Sequence, residues 1–148
     1  MVLSTKGRYG LRAIYELSLY YGKEPMKLKQ IADACELSET YLEQLFNKLK
    51  KGGVIKSIRG AHGGYVLAES PEETSVGAVL RILEGDIITS ECVQNNVCEN
   101  ENKCVTRFVW ERIENSISDV IDNITLADIK NNSSKAEELI DGKKNLSR

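Results

Sequence analysis

The sequence is poor in several features that would place it quickly. Its 148 residues include two prolines, two phenylalanines, one tryptophan and one histidine, and its longest unbroken apolar run is the four residues Tyr65 to Ala68. A helix that crosses a bilayer needs about 20 apolar residues, so no membrane span is expected. No apolar stretch follows the charged start, so no secretory signal is expected either, and the chain is expected to be cytoplasmic. A lone histidine, with no nucleophile–base pair and no phosphate-cradling loop, argues against an enzyme. Net charge is also small. The 20 Lys and Arg nearly balance 22 Asp and Glu, with 41% hydrophobic residues, as in a soluble globular chain large enough for one domain and an appendage.

The small total hides a split. Residues 1–65 carry 11 Lys and Arg against 6 Asp and Glu, or +5, whereas residues 66–148 carry 9 against 16, or −7. A basic half joined to an acidic half suits a unit that meets nucleic acid with one end only.

Periodicity supplies the elements. Leu11, Ile14, Leu17 and Ser18 lie at helical spacing in a first helix expected from Gly7 to Tyr21 and closed by Gly22. Leu28, Ile31, Ala32 and Cys35 repeat the pattern from Lys27, and a third helix starts at Ser38, a good N-cap, and stops at Gly52 and Gly53. Val54 to Ile58 and Tyr65 to Leu67 read as strands around the glycine-rich turn Arg59 to Gly64. A helix follows from Ser75 to Leu83, and then a long one from Cys104 to about Ile124, about 21 residues or roughly 30 Å. A short helix from Leu126 to Asn131 ends the pattern. The fold class expected is mainly α with a small β-hairpin wing: a winged helix-turn-helix with a long C-terminal dimerisation helix. The corresponding division is residues 1–85 for DNA binding, 86–104 for a cysteine-containing loop, 104–131 for the dimerisation helix and short final helix, and 132–148 for a flexible tail.

In the third helix Leu42, Leu45, Phe46 and Leu49 mark the core side, which turns Thr40, Gln44, Asn47 and Lys51 outward, flanked by Glu43 and Lys48. Gln and Asn can pair bidentately with adenine, Thr can meet a base edge or a thymine methyl, and Glu can accept from cytosine. Ser38 and Tyr41 open the same helix. In the wing, Arg59 supplies a cation for a narrow groove, Gly60 lets the backbone approach closely, and His62 is read as a phosphate contact or loop residue. Lys6 and Arg8 add phosphate contacts from the first helix. The long helix has more apolar positions than a small winged domain can cover, so pairing with a second copy is expected. A twofold dimer implies half-sites about one turn apart, or a multiple of that, in a pseudopalindromic duplex.

Cys92, Cys98 and Cys104 form a C-x5-C-x5-C pattern, whereas Cys35 lies on the apolar side of the second helix and reads as buried and inert. Three close thiols cannot all pair within one chain, and the paired spacing typical of zinc sites is absent. An iron–sulfur site, a thiol switch, zinc and inert cysteines all remain open on spacing alone.

Ser4-Thr5-Lys6-Gly7-Arg8-Tyr9-Gly10-Leu11, Leu37-Ser38 with Tyr41-Leu42-Glu43-Gln44-Leu45, and Ile58-Arg59-Gly60-Ala61-His62-Gly63-Gly64-Tyr65 closely resemble the bacterial winged-helix regulators typified by IscR, NsrR and CymR. The likeness continues through Leu83-Glu84-Gly85 and Asn123-Ile124-Thr125-Leu126. It implies a homodimeric transcription factor, repressor or activator, that reads a palindromic operator with its recognition helix and wing. Cluster-binding members carry three cysteines at this spacing, which implies an iron–sulfur cluster, [2Fe-2S] or alternatively [4Fe-4S], held by Cys92, Cys98 and Cys104 and used in iron–sulfur biogenesis or in redox or nitric oxide sensing. One position departs from the pattern. IscR-like members place a histidine three residues after the last cysteine, where this chain has Arg107, and residues 1–10 lack the carboxylate that NsrR-like members use. Glu99, Glu101, Glu111, an exogenous thiol or water then stand as candidates for the fourth ligand. CymR-like members lack the cluster and regulate sulfur metabolism, so the alternative is a cluster-free regulator controlled by a protein effector or by thiol oxidation.

Overall fold

The computed structural model describes residues 3–86, 93 and 103–134. In chain order these form α1 (Thr5–Ser18), α2 (Leu28–Cys35), α3 (Glu39–Lys51), β1 (Ile55–Ile58), β2 (Gly64–Leu67), α4 (Val76–Glu84) and α5 (Arg107–Asn123). A further helix, α6, covers 126–134. Ile14, Leu17, Ile31, Leu42, Phe46, Leu49, Ile55 and Val79 fill one core with almost no exposure, and Leu126 of α6 joins them.

The first helix begins two residues earlier than its hydrophobic spacing predicts. Ser4 is the N-cap, its hydroxyl accepting from the Lys6 amide at 3.2 Å. Gly7 and Gly10 are both buried inside α1, where a Cβ would overlap Glu84 and Leu83 of α4. They are glycines because two helices meet there. The helix also ends sooner, at Ser18, and residues 19–22 form a turn instead of continuing to Tyr21, which is exposed.

α2 begins at Leu28, with Lys27 as its cap residue, and closes through Glu36 in the left-handed conformation. The Leu37 amide then donates back to the Ala32 carbonyl at 2.9 Å. Ser38 caps α3 as expected, accepting from the Tyr41 amide at 3.2 Å, and Lys48, Lys50 and Lys51 complement the dipole in its last turn.

The hairpin is antiparallel, pairing Ile55 with Leu67 and Ile58 with Gly64; β1 starts one residue after Val54 and β2 one before Tyr65. Met26 adds a bridge on the outer side of β2. Its amide donates to the Tyr65 carbonyl at 3.1 Å and its carbonyl accepts from the Tyr65 amide at 2.8 Å. Gly64 permits this approach, because a Cβ there would overlap the Met26 carbonyl.

α4 is capped by Ser75, whose hydroxyl accepts from the Ala78 amide at 3.1 Å, and its N-terminal end holds the far end of α5. The Val76 amide donates to the Ile124 carbonyl at 2.8 Å, the Leu126 amide donates to Thr74 at 3.0 Å, and Arg81 pairs with both carboxylate oxygens of Asp122. α5 starts at Arg107 and not at Cys104, since Val105 and Thr106 form a turn, and no α5 residue is fully buried. α6 extends to residue 134, beyond the expected Asn131. Its start is fixed by a reciprocal cap, in which Thr125 N–H donates to Asp128 at 2.9 Å and Asp128 N–H to the Thr125 hydroxyl at 3.2 Å. Most of the expected cysteine loop and residues 135–148 of the expected tail lie outside the described residues.

Candidate nucleic-acid interface and thiol site

α3 turns its buried side, Leu42, Leu45, Phe46 and Leu49, onto the core. Thr40, Glu43, Gln44, Asn47, Lys48 and Lys51 are all exposed on its other side. The hairpin stands against this helix. Phe46 and Tyr65 meet edge to face with centroids 5.0 Å apart, at 75°. Burial and then the Glu43 carboxylate push the Tyr65 phenol above its ordinary pKa, so the outer face of α3 adjoins the base of the wing. Arg59, Gly60 and His62 are exposed in the turn between the strands.

Lys6 and Arg8 are exposed on the first turn of α1. Two of the expected contact residues have structural partners as well. The Ser38 hydroxyl is engaged as the α3 cap. Tyr41 is half-buried, its ring 6.3 Å from that of Tyr9 at 87°, and its hydroxyl is buried with no hydrogen-bond partner among the described residues.

Two further side chains order this surface, and neither has a local sequence signal. The Lys27 ammonium donates to the Ala61 carbonyl at 2.9 Å and ties the wing turn to the start of α2. Glu84 reaches from α4 to the N-terminus of α1.

Cys35 is buried in the core, and desolvation raises its thiol pKa, as suits a small hydrophobe. Cys104 is partly exposed just ahead of α5. Its sulfur lies 3.4 Å from the Thr106 hydroxyl, and this hydrogen bond leads the causes that lower its pKa, followed by the Thr106 and Arg107 backbone and the Arg107 charge. The thiolate, the form that ligates metals and reacts with oxidants, is thereby favoured. Cys92 and Cys98 lie outside the described residues, as do Glu99 and Glu101. Among the described residues no group of three His, Cys, Asp or Glu side chains could hold a metal. Arg107 bonds through Nε to Glu111 at 2.7 Å, so that carboxylate is already engaged by a cation.

Among the described residues α5 bears an exposed apolar stripe. Phe108, Ile113 and Val120 are exposed, Val109, Ile117 and Ile121 half-buried. Phe108, Val109, Ile113 and Ile117 line a groove of about 380 Å³ along it. No helix is long and apolar enough to cross a membrane among the described residues.

A helix-turn-helix whose second helix stacks on a following hairpin is a winged helix-turn-helix, and the exposed polar face beside that hairpin is where this class meets DNA. The chain belongs to the Rrf2 family, described as iron-dependent transcriptional regulators, whose model matches residues 3–132. It is 45% identical over 129 residues to the HTH-type transcriptional regulator CymR of Bacillus subtilis, covering 87% of this chain and 89% of that one. The solved structure of that protein, called the global cysteine regulator of B. subtilis, superposes with a TM-score of 0.75 at 44% identity, over 87% of this chain and 95% of the other. The HTH-type transcriptional regulator IscR of Erwinia tasmaniensis is 36% identical over 132 residues, 89% of this chain and 80% of its own. The structure of T. potens IscR gives a TM-score of 0.74 at 42% identity, over 92% and 90% of the two chains. These relatives are named as transcriptional regulators and not as enzymes, and the winged fold and family agree with the sequence reading.

Proposed function

We propose that the chain is a homodimeric regulator that binds a pseudopalindromic DNA operator in the cytoplasm and whose affinity is set at Cys92, Cys98 and Cys104 by an iron–sulfur cluster. The observation that carries the DNA reading is the exposed stripe Thr40, Gln44, Asn47 and Lys51, presented beside the wing by a helix whose opposite side is fully buried. Gln44 and Asn47 have the donor and acceptor geometry for adenine, Thr40 suits a base edge or thymine methyl, and Glu43 suits cytosine. Lys6, Arg8, Lys51, Arg59 and His62 supply phosphate or groove contacts, Gly60 a close backbone approach, and Ser38 and Tyr41 fix the start of the reading helix. Residues 1–85 form the DNA-binding unit. Pairing through the apolar stripe of α5 gives two such units related by a twofold axis.

The described part of the thiol site fits the cluster in one respect: Cys104 is accessible and disposed to be a thiolate. Arg107 is a cation and engages Glu111 through one carboxylate oxygen, so the three thiolates would be completed by an exogenous donor, by Glu99 or Glu101, or by Glu111 released from that pair. When bound, a cluster of either nuclearity supplies a centre sensitive to oxidants or nitric oxide. Anaerobic incubation with iron and sulfide should give a brown protein with sulfur-to-iron charge-transfer absorption that is lost when all three cysteines become serine. A colourless product, or colour that survives the triple replacement, overturns the cluster reading.

A second reading is favoured by Arg107 and by the 45% identity to CymR: a cluster-free regulator of cysteine or sulfur metabolism, controlled by thiol oxidation or by a protein effector. It predicts a colourless protein whose DNA affinity responds to peroxide or to a protein recovered on the immobilised dimer.

A further inference from the structure

Glu84 ends α4, where a negative charge opposes the dipole of its own helix. Its carboxylate serves another helix instead. Oε1 accepts from the Ser4 amide at 2.9 Å, the Ser4 hydroxyl at 2.6 Å and the Gly7 amide at 2.9 Å. The two amides are donors at the start of α1, a point at which a helix has no partners of its own and where its dipole favours an anion. Gly7 leaves the room, since a Cβ there would overlap this carboxylate. The Ser4 hydrogen bond is the main reason the Glu84 carboxyl lies below the usual carboxylate range, with the Gly7 and Ser4 amides and the Lys6 charge acting in the same direction. Lys6 and Arg8 are exposed on this same turn of α1. One turn before Glu84, Arg81 holds Asp122 of α5, so α4 joins the DNA-facing end of α1 to the long helix.

We infer that Glu84 is a positioning residue for DNA binding, capping α1 from a distance so that Lys6 and Arg8 meet backbone phosphates together. This rests on the operator-binding reading above. A purely electrostatic role would have the opposite sign, because removing a carboxylate beside Lys6 raises the positive potential and tightens binding to DNA.

Fluorescence anisotropy with a mixed-sequence duplex of about 30 base pairs, about three helical turns, separates the two when run across a series of KCl concentrations. Each lost phosphate contact lowers the slope of log K against log salt by about 0.9, so Lys6→Ala with Arg8→Ala should lower it by roughly 1.8 per subunit. Glu84→Ala should weaken binding and lower the slope by a similar amount, whereas Glu84→Gln, which keeps an acceptor oxygen, should stay near the parent. In the background lacking Lys6 and Arg8, Glu84→Ala should change nothing further. Ser4→Ala, which removes one of three donors, should shift the slope in the same direction and keeps the test available if Glu84→Ala fails to fold. Tighter binding by Glu84→Ala, an unchanged slope, or an effect that adds in full to the Lys6 and Arg8 losses overturns the inference. Parent protein that binds neither this duplex at low salt nor any duplex enriched from fragmented genomic DNA overturns the operator reading itself, and this inference with it.

Discussion

Phe108 lies near the start of α5 and is 64% exposed in the single chain. Burying an apolar side chain of this kind completely is worth about 1.5–3 kcal/mol. Covering the exposed share of Phe108 in a twofold pair is therefore worth roughly 1–2 kcal/mol per subunit and about 2–4 kcal/mol per dimer. At about 1.4 kcal/mol per tenfold change, Phe108→Ser should raise the dimer dissociation constant about 30- to 700-fold. Sedimentation equilibrium over a wide concentration range reads this directly. Stability of the separated subunit should stay within about 0.5 kcal/mol of the parent, as for a surface substitution. A dimer constant unchanged by Phe108→Ser, or a parent protein that is monomeric throughout, would refute pairing through this stripe.

Other outcomes follow from the same contacts. Phe46 is fully buried and meets Tyr65 of the wing, so Phe46→Ala should cost about 3–5 kcal/mol in urea unfolding, and a loss below about 1 kcal/mol would show that α3 and the wing do not share this core. The Asp122 carboxyl is held below its ordinary pKa by the Arg81 hydrogen bond. Its contribution is thus present above the ordinary carboxylate value and lost as pH falls through the lowered one, so thermal melts between about pH 6 and pH 2 should show a shallower acid limb in Asp122→Asn. Parallel acid limbs would contradict this. Iodoacetamide at neutral pH should label Cys104 well before Cys35, because one thiol pKa is lowered and the other raised; equal labelling by peptide mass spectrometry would contradict both environments.

Much of the fold is legible because its signals are local. The spacing of Leu28, Ile31, Ala32 and Cys35 and the Ser38 cap place α2 and α3, and the same periodicity separates the buried and outward sides of α3. The start of α1 is placed two residues late because the hydrophobic spacing begins only at Leu11, while Gly7 and Gly10 carry no side chain to extend the pattern and instead let α4 approach. Ser4, three residues before Gly7, was the available signal. The clasp of Glu84 on Ser4 and the pairing of Arg81 with Asp122 span 80 and 41 positions, and no helical or strand period connects residues so far apart. The Lys27 tie to the wing turn is equally invisible, since an exposed lysine beside other lysines reads as a solvated charge. On the thiol site, the spacing of the cysteines is plain in the sequence, and the structure adds that Glu111 is paired with Arg107.

DNA binding controlled at the cysteine segment is the central proposal for this protein. The most direct measurement is footprinting, on duplexes enriched from fragmented genomic DNA, of the protein loaded anaerobically with iron and sulfide and of the metal-free protein. Two protected half-sites are expected about one helical turn apart, or a multiple of that, with an affinity that differs between the two forms and a difference that vanishes when Cys92, Cys98 and Cys104 are all serine. Identical footprints and affinities for the loaded, metal-free and triple-serine proteins would contradict that proposal.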